Sequence, residues 1–160
     1  MAYLLYLDRQ YDKAIEQFQK TIEMYPQSEV AHKWLSISYE QKGNFDAAFK
    51  AALKLDEIVG STPGELSRLR NAYANGGLRR FHEVDSHIDK ERAKPGESDE
   101  CGEPEEYLRF GERLKALDCL EEGYRNHTLP VDRLNSDAQF DPLRSKPRFQ
   151  NLLQRVGLPK

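Results

Sequence analysis

The sequence predicts an all-α fold built from repeated pairs of helices, and three observations support this class. Apolar residues recur at the spacing of one helix face, as at Ala14, Ile15, Phe18 and Ile22. Hydrophobic residues make up 38% of the 160 residues and charged residues 32%, which is the balance of a folded helical domain rather than a disordered chain. Tyrosines and glycines repeat with a period of 34 residues, at Tyr39, Tyr73 and Tyr107 and at Gly43, Gly77 and Gly111.

Each repeated unit is predicted to contain two helices joined by a tight turn. A glycine at the end of the first helix adopts the left-handed C-cap conformation at little steric cost. The second helix needs a small residue where the two helices cross, because a larger side chain would separate their axes. Ala14, Ala48 and Ala116 occupy this position, and His82 interrupts the series. A buried His82 would need a polar partner.

The periodic segments and their end signals place the helices of the repeat region. Pro26 ends one helix and allows a turn into the next pair. Thr62, Pro63 and Glu65 predict a helix start, with Thr62 and Glu65 forming a capping box. The predicted helices are residues 2–9, 11–25, 28–42, 45–59, 63–75, 78–93, 104–110 and 112–126.

The C-terminal tail predicts one further helix, which covers the exposed face of the last pair. Pro147 suits the start of this helix and Gly157 its end. A stack of helix pairs needs such a cap because each pair leaves one apolar face open. The apolar contacts of the tail come from Phe140, Leu143, Phe149, Leu152, Leu153 and Val156.

The repeated pattern resembles the tetratricopeptide repeat. The matching positions lie mainly in the second unit, at Trp34, Leu35, Ser36, Tyr39, Gly43, Phe45 and Ala48, with Tyr11, Ala14, Phe18 and Pro26 in the first and Tyr107, Gly111, Ala116 and Leu120 in the fourth. The third unit keeps Tyr73 and Gly77 but departs from the family pattern at Arg79, His82 and Ser86. We therefore expect the packing of the third pair to be adapted.

The resemblance implies a right-handed α-solenoid of about four helix-turn-helix repeats plus a C-terminal capping helix. The repeats are expected at residues 1–27, 28–61, 62–95 and 104–127, with an acidic loop at about 94–104, and the tail and capping helix at 128–160. Residues 1–127 would thus form one repeat domain.

The end of the chain resembles the ending of many bacterial tetratricopeptide proteins, in which the repeats follow a winged-helix regulator, a cyclase or a protein kinase. The motifs are "FDPLR", "PRFQNLL" and "GLP", although Lys146 stands where that ending usually has an acidic helix cap. The first unit lacks the first turn or two of its leading helix. We therefore expect the chain to be the C-terminal part of a longer signalling or regulatory protein, or to begin at an artificial boundary.

Charge and hydropathy narrow the classes of partner. The net charge of −3 offers no general attraction to nucleic acid or to an anionic membrane. No apolar run approaches the ~18 residues of a membrane span, and no signal peptide is recognisable at the start. We expect no membrane insertion and a cytoplasmic location, unless an upstream segment places the chain elsewhere. Cys101 and Cys119 are expected as free thiols, with a single bridge as the alternative.

The sequence contains no motif that predicts catalysis, a metal site or a cofactor. The segment "HEVDSH" superficially resembles a zinc-protease motif, but His82 and His87 are five residues apart and project about 140° from each other on a helix. We interpret both as structural or surface histidines. A basic cluster is interpreted as a solvated helix face, with an anion or acidic-peptide contact as the alternative: Arg68, Arg70, Arg79 and Arg80.

The resemblance places a partner-binding surface on the concave side, which the first helix of each pair lines. The free faces of these helices are expected to present Val30, Lys33, Ile37, Glu40, Arg70, Asn71 and Ala74. Ile37 stands where the carboxylate-clamping members of the family need an asparagine, so we predict a mixed groove rather than that clamp. Trp34 is expected in the core between units, packed against the preceding second helix.

We therefore predict a non-catalytic protein–protein interaction module that binds a peptide or partner segment in its groove. The alternative is a homo-oligomerisation scaffold, in which the first helix pairs with that of a second copy.

Overall fold

The computed structural model describes residues 1–93, 103–129 and 131–158, without the side chains of residues 131 and 132. Every regular element within these ranges is a helix, which confirms the all-α class. The α-helices are α1 (Ala2–Leu7), α2 (Tyr11–Met24), α3 (Glu29–Gln41), α4 (Phe45–Ile58), α5 (Pro63–Arg92), α6 (Pro104–Arg109), α7 (Arg113–Arg125), α8 (Val131–Leu134) and α9 (Pro147–Arg155), and a 3-10 helix spans Ala138–Leu143. The predicted loop at 94–104 lies largely outside the described residues.

Helix α5 is two helices joined at a glycine pair. Gly76 and Gly77 have non-helical backbone angles, and Gly77 has a positive φ of 63°. Arg68 pairs with Glu91 and Glu65 with Arg92, so the two halves run antiparallel as a hairpin. We call residues 63–75 the first arm and residues 78–92 the second arm. These arms correspond to the two helices that the sequence predicts for the third unit.

Side-chain caps fix several helix starts. The Ser28 hydroxyl accepts a hydrogen bond from the Ala31 amide at the start of α3. The Asn44 side chain accepts from the Ala47 amide at the start of α4. At the start of α5, the Glu65 amide donates to Thr62 Oγ1 at 3.3 Å and the Thr62 amide donates to Glu65 Oε2 at 2.7 Å. The predicted capping box is confirmed.

The described chain divides into two compact units, each larger than one sequence repeat. The first unit is Met1–Arg92 and the second unit is Ala93–Lys160. In the first unit each helix packs on the next one along the chain, from α1 through α5. Ala14 and Ala48 are fully buried, as expected for small residues at close helix crossings. One cluster of the core centres on Tyr6, Phe18 and Leu35, and the other is Ala52, Leu69, Phe81 and Ile88.

The repeated tyrosines make related contacts in the first unit. The Tyr39 hydroxyl on α3 accepts a hydrogen bond of 2.9 Å from Gln19 on α2. The Tyr73 hydroxyl on α5 donates to Asp46 on α4, a bond that raises the pKa of Tyr73 to about 12. Each tyrosine thus ties the first helix of a pair to the second helix of the preceding pair.

Trp34 has partners on α1 that the sequence did not predict. Its ring centroid lies 4.5 Å from that of Tyr3 and 5.0 Å from that of Tyr6, both on α1. Trp34 also packs against the core cluster that contains Ala14, Ile15 and Phe18 of α2, so its predicted place in the core beside the preceding second helix is confirmed. The aromatic pairs with α1 contribute about 0.5–1.5 kcal/mol each beyond their buried area and add to the packing of α1 on α2.

The second unit packs α6, α7, the 3-10 helix and α9 around one core. Its largest buried side chains include Leu120 on α7, Phe140 on the 3-10 helix and Phe149 on α9. The predicted tail helix is present, since α9 begins at Pro147 and Gly157 follows it with a positive φ of 79°. It contacts α7, where Arg148 pairs with Asp118 and Glu121 at 2.8 Å each.

The cysteine prediction needs a correction. Cys119 on α7 is buried and disulfide-bonded, not the free thiol that the sequence led us to expect. Cys101, the only other cysteine of the sequence, lies outside the described residues.

Candidate functional site

The predicted partner-binding residues on α3 do not all reach the surface. Val30 is 66% exposed and Lys33 is exposed. Ile37 is only 3% exposed and belongs to the core cluster that contains Tyr6 and Leu35. The prediction that Ile37 lines an open face is therefore corrected, because α3 is packed on more sides than the sequence indicates.

Glu40, the fourth predicted residue on α3, is held within the first unit. His82 Nε2 on the second arm of α5 lies 3.2 Å from Glu40 Oε1, and both side chains are largely buried. This contact supplies the polar partner that a buried His82 needs. The contact between His82 and Glu40 also covers the end of α3 that was predicted to face a ligand.

The predicted residues on the first arm of α5 are exposed. Arg70 pairs with Glu57 on α4 at 3.3 Å, and Asn71 and Ala74 are open to solvent. The basic cluster around them is neutralised internally, since its other members pair with Glu91 or Glu83: Arg68, Arg79 and Arg80. These pairs favour the interpretation as a solvated face.

A groove of about 550 Å³ lies on another side of α3, between α2 and α4. Its volume is in the range of protein ligand sites. The lining residues are Gln19, Ile22 and Glu23 on α2, His32, Leu35 and Tyr39 on α3, and Ala47, Lys50, Ala51 and Lys54 on α4. We call this surface the α2–α4 groove.

Small residues on α4 create the space. Ala47 and Ala51 are one helical turn apart, so no long side chain fills the gap between α4 and α2. Leu35 and Ile22 add apolar surface. The groove extends along α3 from Tyr39 to His32, which is about 10 Å at 1.5 Å of rise per residue.

Charges line the two walls of the α2–α4 groove unequally. The α4 wall carries Lys50 and Lys54, and the α2 wall carries Glu23. Lys54 pairs with Glu57 at 3.0 Å. Lys50 is exposed and has no ion-pair partner among the residues that the structure describes. The α4 wall therefore offers one uncompensated cation.

His32 is the buried polar group of this groove. It is 6% exposed, and its Nε2 lies 3.1 Å from the carbonyl oxygen of Pro26. A carbonyl oxygen only accepts, so Nε2 donates this hydrogen bond, and in the neutral imidazole Nδ1 is then the acceptor. Nδ1 is buried and has no hydrogen-bond partner in the described structure. Such an unsatisfied group costs about 1–3 kcal/mol.

Sequence reasoning missed the α2–α4 groove because it followed the other face of α3. Lys33 and Leu35 are two residues apart and project about 160° from each other on a helix, so the predicted face and the groove point in different directions. The available signal was the pair Ala47 and Ala51, of which neither is the small residue of the repeat, Ala48.

Ionisable groups elsewhere in the first unit serve the packing of helices. Asp56 on α4 is 8% exposed, and its carboxyl group hydrogen-bonds that of Asp85 on the second arm of α5. Burial first, and then the charge and hydrogen bond of Asp85 and the charge of Asp89, raise the pKa of Asp56 to about 8. Arg92 acts in the opposite direction.

The second unit contains its own buried ionic contact. Arg133 lies 2.6 Å from Glu105 and 3.7 Å from Asp137, and both acids are buried. Burial raises the pKa of Glu105, and the charge of Arg133 opposes that shift. Asp137 also caps the 3-10 helix by accepting from the Gln139 amide. These groups hold α6 and the tail rather than an open site.

Within the described ranges, no three metal-ligating side chains form a cluster, and no helix combines the length and apolarity needed to cross a membrane. His82 and His87 have separate carboxylate neighbours, Glu40 and Glu91. Comparisons with protein-family models, curated proteins and solved structures find no match.

Proposed function

We propose that this chain is a non-catalytic interaction module that binds a segment of a partner protein. The observation that carries the proposal is the α2–α4 groove, whose apolar floor and polar walls are the usual composition of a peptide-binding groove. Its open shape suits a chain segment better than an enclosed small molecule.

The architecture of the module and the kind of protein that contains it are inferred from the sequence. The resemblance to tetratricopeptide repeats and to the ending of bacterial regulators supports a right-handed α-solenoid at the C-terminus of a signalling or transcription-regulatory protein. The net charge of −3 supports a protein partner rather than nucleic acid. The resemblance to bacterial regulators also supports a cytoplasmic location for the module.

Two surfaces compete for the partner. The residues of the predicted concave face that remain exposed are Val30, Lys33, Arg70, Asn71 and Ala74. The α2–α4 groove is the better candidate because it offers a recess, in which a side chain loses more water contact than on an open face. An affinity in the micromolar range, about −8 kcal/mol, is expected for one short segment.

The test is a random-peptide display selection on the intact chain, followed by binding measurements on two matched variants. Ala47→Trp fills the α2–α4 groove, and Ala74→Trp adds the same bulk to the predicted concave face. We expect selected peptides to lose binding to Ala47→Trp by at least about tenfold and to keep binding to Ala74→Trp.

The opposite pattern would move the site to the predicted concave face. Failure to select any peptide whose binding responds to either variant would contradict the proposed function. Circular dichroism of both variants shows whether the helices remain intact.

Homo-oligomerisation is the second candidate, and one observation favours it. Leu4 on α1 is 62% exposed, although the neighbouring Tyr6 is fully buried. An exposed leucine on the first helix of the chain offers an apolar contact to a second copy of the chain. Light scattering at tens of micromolar distinguishes the two, because a strict monomer rejects the scaffold and leaves the peptide-binding module.

A further inference from the structure

We infer that the α2–α4 groove selects an amphipathic helical segment that places a carboxylate over the α4 wall and a hydrogen-bond donor beside Glu23 on the α2 wall. The inference rests on the proposed function and specifies the chemistry of the partner.

The shape of the groove argues for a short helical segment. The floor is apolar along about two turns of α3, from Tyr39 to His32. Apolar side chains spaced by three or four residues on a ligand helix cover that length on one face. Burying them against Leu35, Ala47 and Ile22 supplies the main attraction.

The sign of the charge follows from Lys50. Lys54 on the same wall is already paired with Glu57, whereas Lys50 has no ionic partner among the described residues. The chain as a whole is negative, so this wall is a cationic exception at the edge of an apolar recess. Complementary charges at the rim of an interface fix orientation and discriminate against partners of the wrong sign.

The α2 wall of the groove offers an acceptor instead of a cation. Glu23 on this wall is exposed, whereas His32 Nδ1 is buried and is not reached by a ligand in the groove. A ligand hydroxyl or amide group on this side can donate to the Glu23 carboxylate. The two walls therefore differ in chemistry, with a cation on α4 and an acceptor on α2.

The experiment uses three synthetic probes of about 14 residues with the same leucine positions on one helix face. The remaining positions of the probes are glutamate, glutamine or lysine, with one serine on the side that would face Glu23. Binding to the intact chain is measured by fluorescence anisotropy at low and high salt. We expect the glutamate probe to bind at least about tenfold more tightly than the lysine probe, and salt to weaken the glutamate probe.

Substitutions then assign the effect to named side chains. Lys50→Glu should reverse the preference between the glutamate and lysine probes, whereas Lys33→Glu, the same charge change on the other side of α3, should leave it unchanged. Glu23→Ala removes the acceptor of the α2 wall and leaves the floor of the groove intact. It should weaken the probes that carry the serine more than matched probes with alanine.

The outcomes separate the inference from the proposed function. Equal binding of all three probes, a preference for lysine, or an equal response to Lys50→Glu and Lys33→Glu overturns the inferred chemistry. If such binding is still abolished by Ala47→Trp, the groove remains a peptide site and only its charge selectivity is wrong. Absence of binding by all three probes overturns the inferred ligand class, and the unbiased peptide selection decides the proposed function independently.

Discussion

Asp56 and Asp85 form a carboxyl–carboxyl contact between α4 and the second arm of α5. Two carboxyl groups share a hydrogen bond only when one of them carries a proton, and Asp56 is buried while Asp89 adds further negative charge. These causes raise the pKa of Asp56 to about 8, although the charge of Arg92 opposes them. The attachment of the second arm is therefore sensitive to pH.

The first prediction follows from the sign of this shift. The folded state keeps the Asp56 proton up to about pH 8, whereas the unfolded chain releases it near its ordinary pKa of 3.8. The contribution of this group to the free energy of unfolding is complete below pH 3.8 and is lost as the pH rises from there to about 8. Replacing Asp56 by Asn should remove that dependence and stabilise the protein at pH 8 by on the order of a few kcal/mol.

Urea denaturation at pH 5 and pH 8, followed by circular dichroism, measures the effect. Asp8→Asn is the control because Asp8 is exposed on the same unit. A pH dependence of Asp56→Asn identical to that of the unsubstituted chain would contradict the protonated pair.

At the scale of the elements, α5 depends on a backbone reversal between its two arms. Gly77 provides it with a φ of 63° and a ψ of −158°, a region that is essentially confined to glycine and costs other residues about 1–3 kcal/mol. The reversal allows Glu65 to meet Arg92 and Arg68 to meet Glu91. The position of the second arm on α4 therefore depends on one glycine.

The second prediction concerns this glycine. Gly77→Ala should lower the free energy of unfolding by about 1–3 kcal/mol, because the new Cβ is strained by the backbone and not by its neighbours, which lie beyond 4 Å. Gly64→Ala in the first turn of α5 is the matched control. Its backbone φ is not positive and its Cβ would meet only Thr62 Oγ1 at 3.9 Å, so it should be neutral or stabilising. Equal losses in both variants, measured by denaturation, would contradict the assigned strain.

At the scale of the whole molecule, the described chain has two compact units with different kinds of core. The first, Met1–Arg92, is built from helices that each pack on the next along the chain, with alanines at the crossings. The second, Ala93–Lys160, buries a cluster from α7, the 3-10 helix and α9. The predicted repeat domain of residues 1–127 includes all of the first unit and part of the sequence of the second.

The third prediction concerns how stability is distributed in the first unit. Helix α3 packs between α2 and α4 and also contacts His82, whereas α1 has only six residues. Amide hydrogen exchange should therefore be slowest in α3 and α4, and at least about tenfold faster in α1, because short helices with few buried contacts open locally. Exchange measured by mass spectrometry tests this, and α1 amides protected as strongly as those of α3 would contradict it.

The local part of the fold was accessible from the sequence because its signals are local. Helical periodicity, the turn glycines, the Thr62–Glu65 capping box and Pro147 each act within a few residues, and α1 to α7 and α9 lie where these signals predict them. The sequence did not predict α8 or the 3-10 helix. The sequence also predicted that a buried His82 would have a polar partner, but it did not identify Glu40 as that partner. Of the candidate site, only the exposure of part of the predicted face followed from sequence.

The sequence by itself determined the all-α class, the pairing of helices along the chain and the tail helix. The tertiary structure alone decided that Ile37 is buried, that Trp34 packs on α1 and that a groove opens between α2 and α4. The physical reason is that a helix forms from interactions a few residues apart. Which of its faces is covered depends on side chains brought together from 20 to 40 positions away, such as Gln19 with Tyr39 and Glu40 with His82.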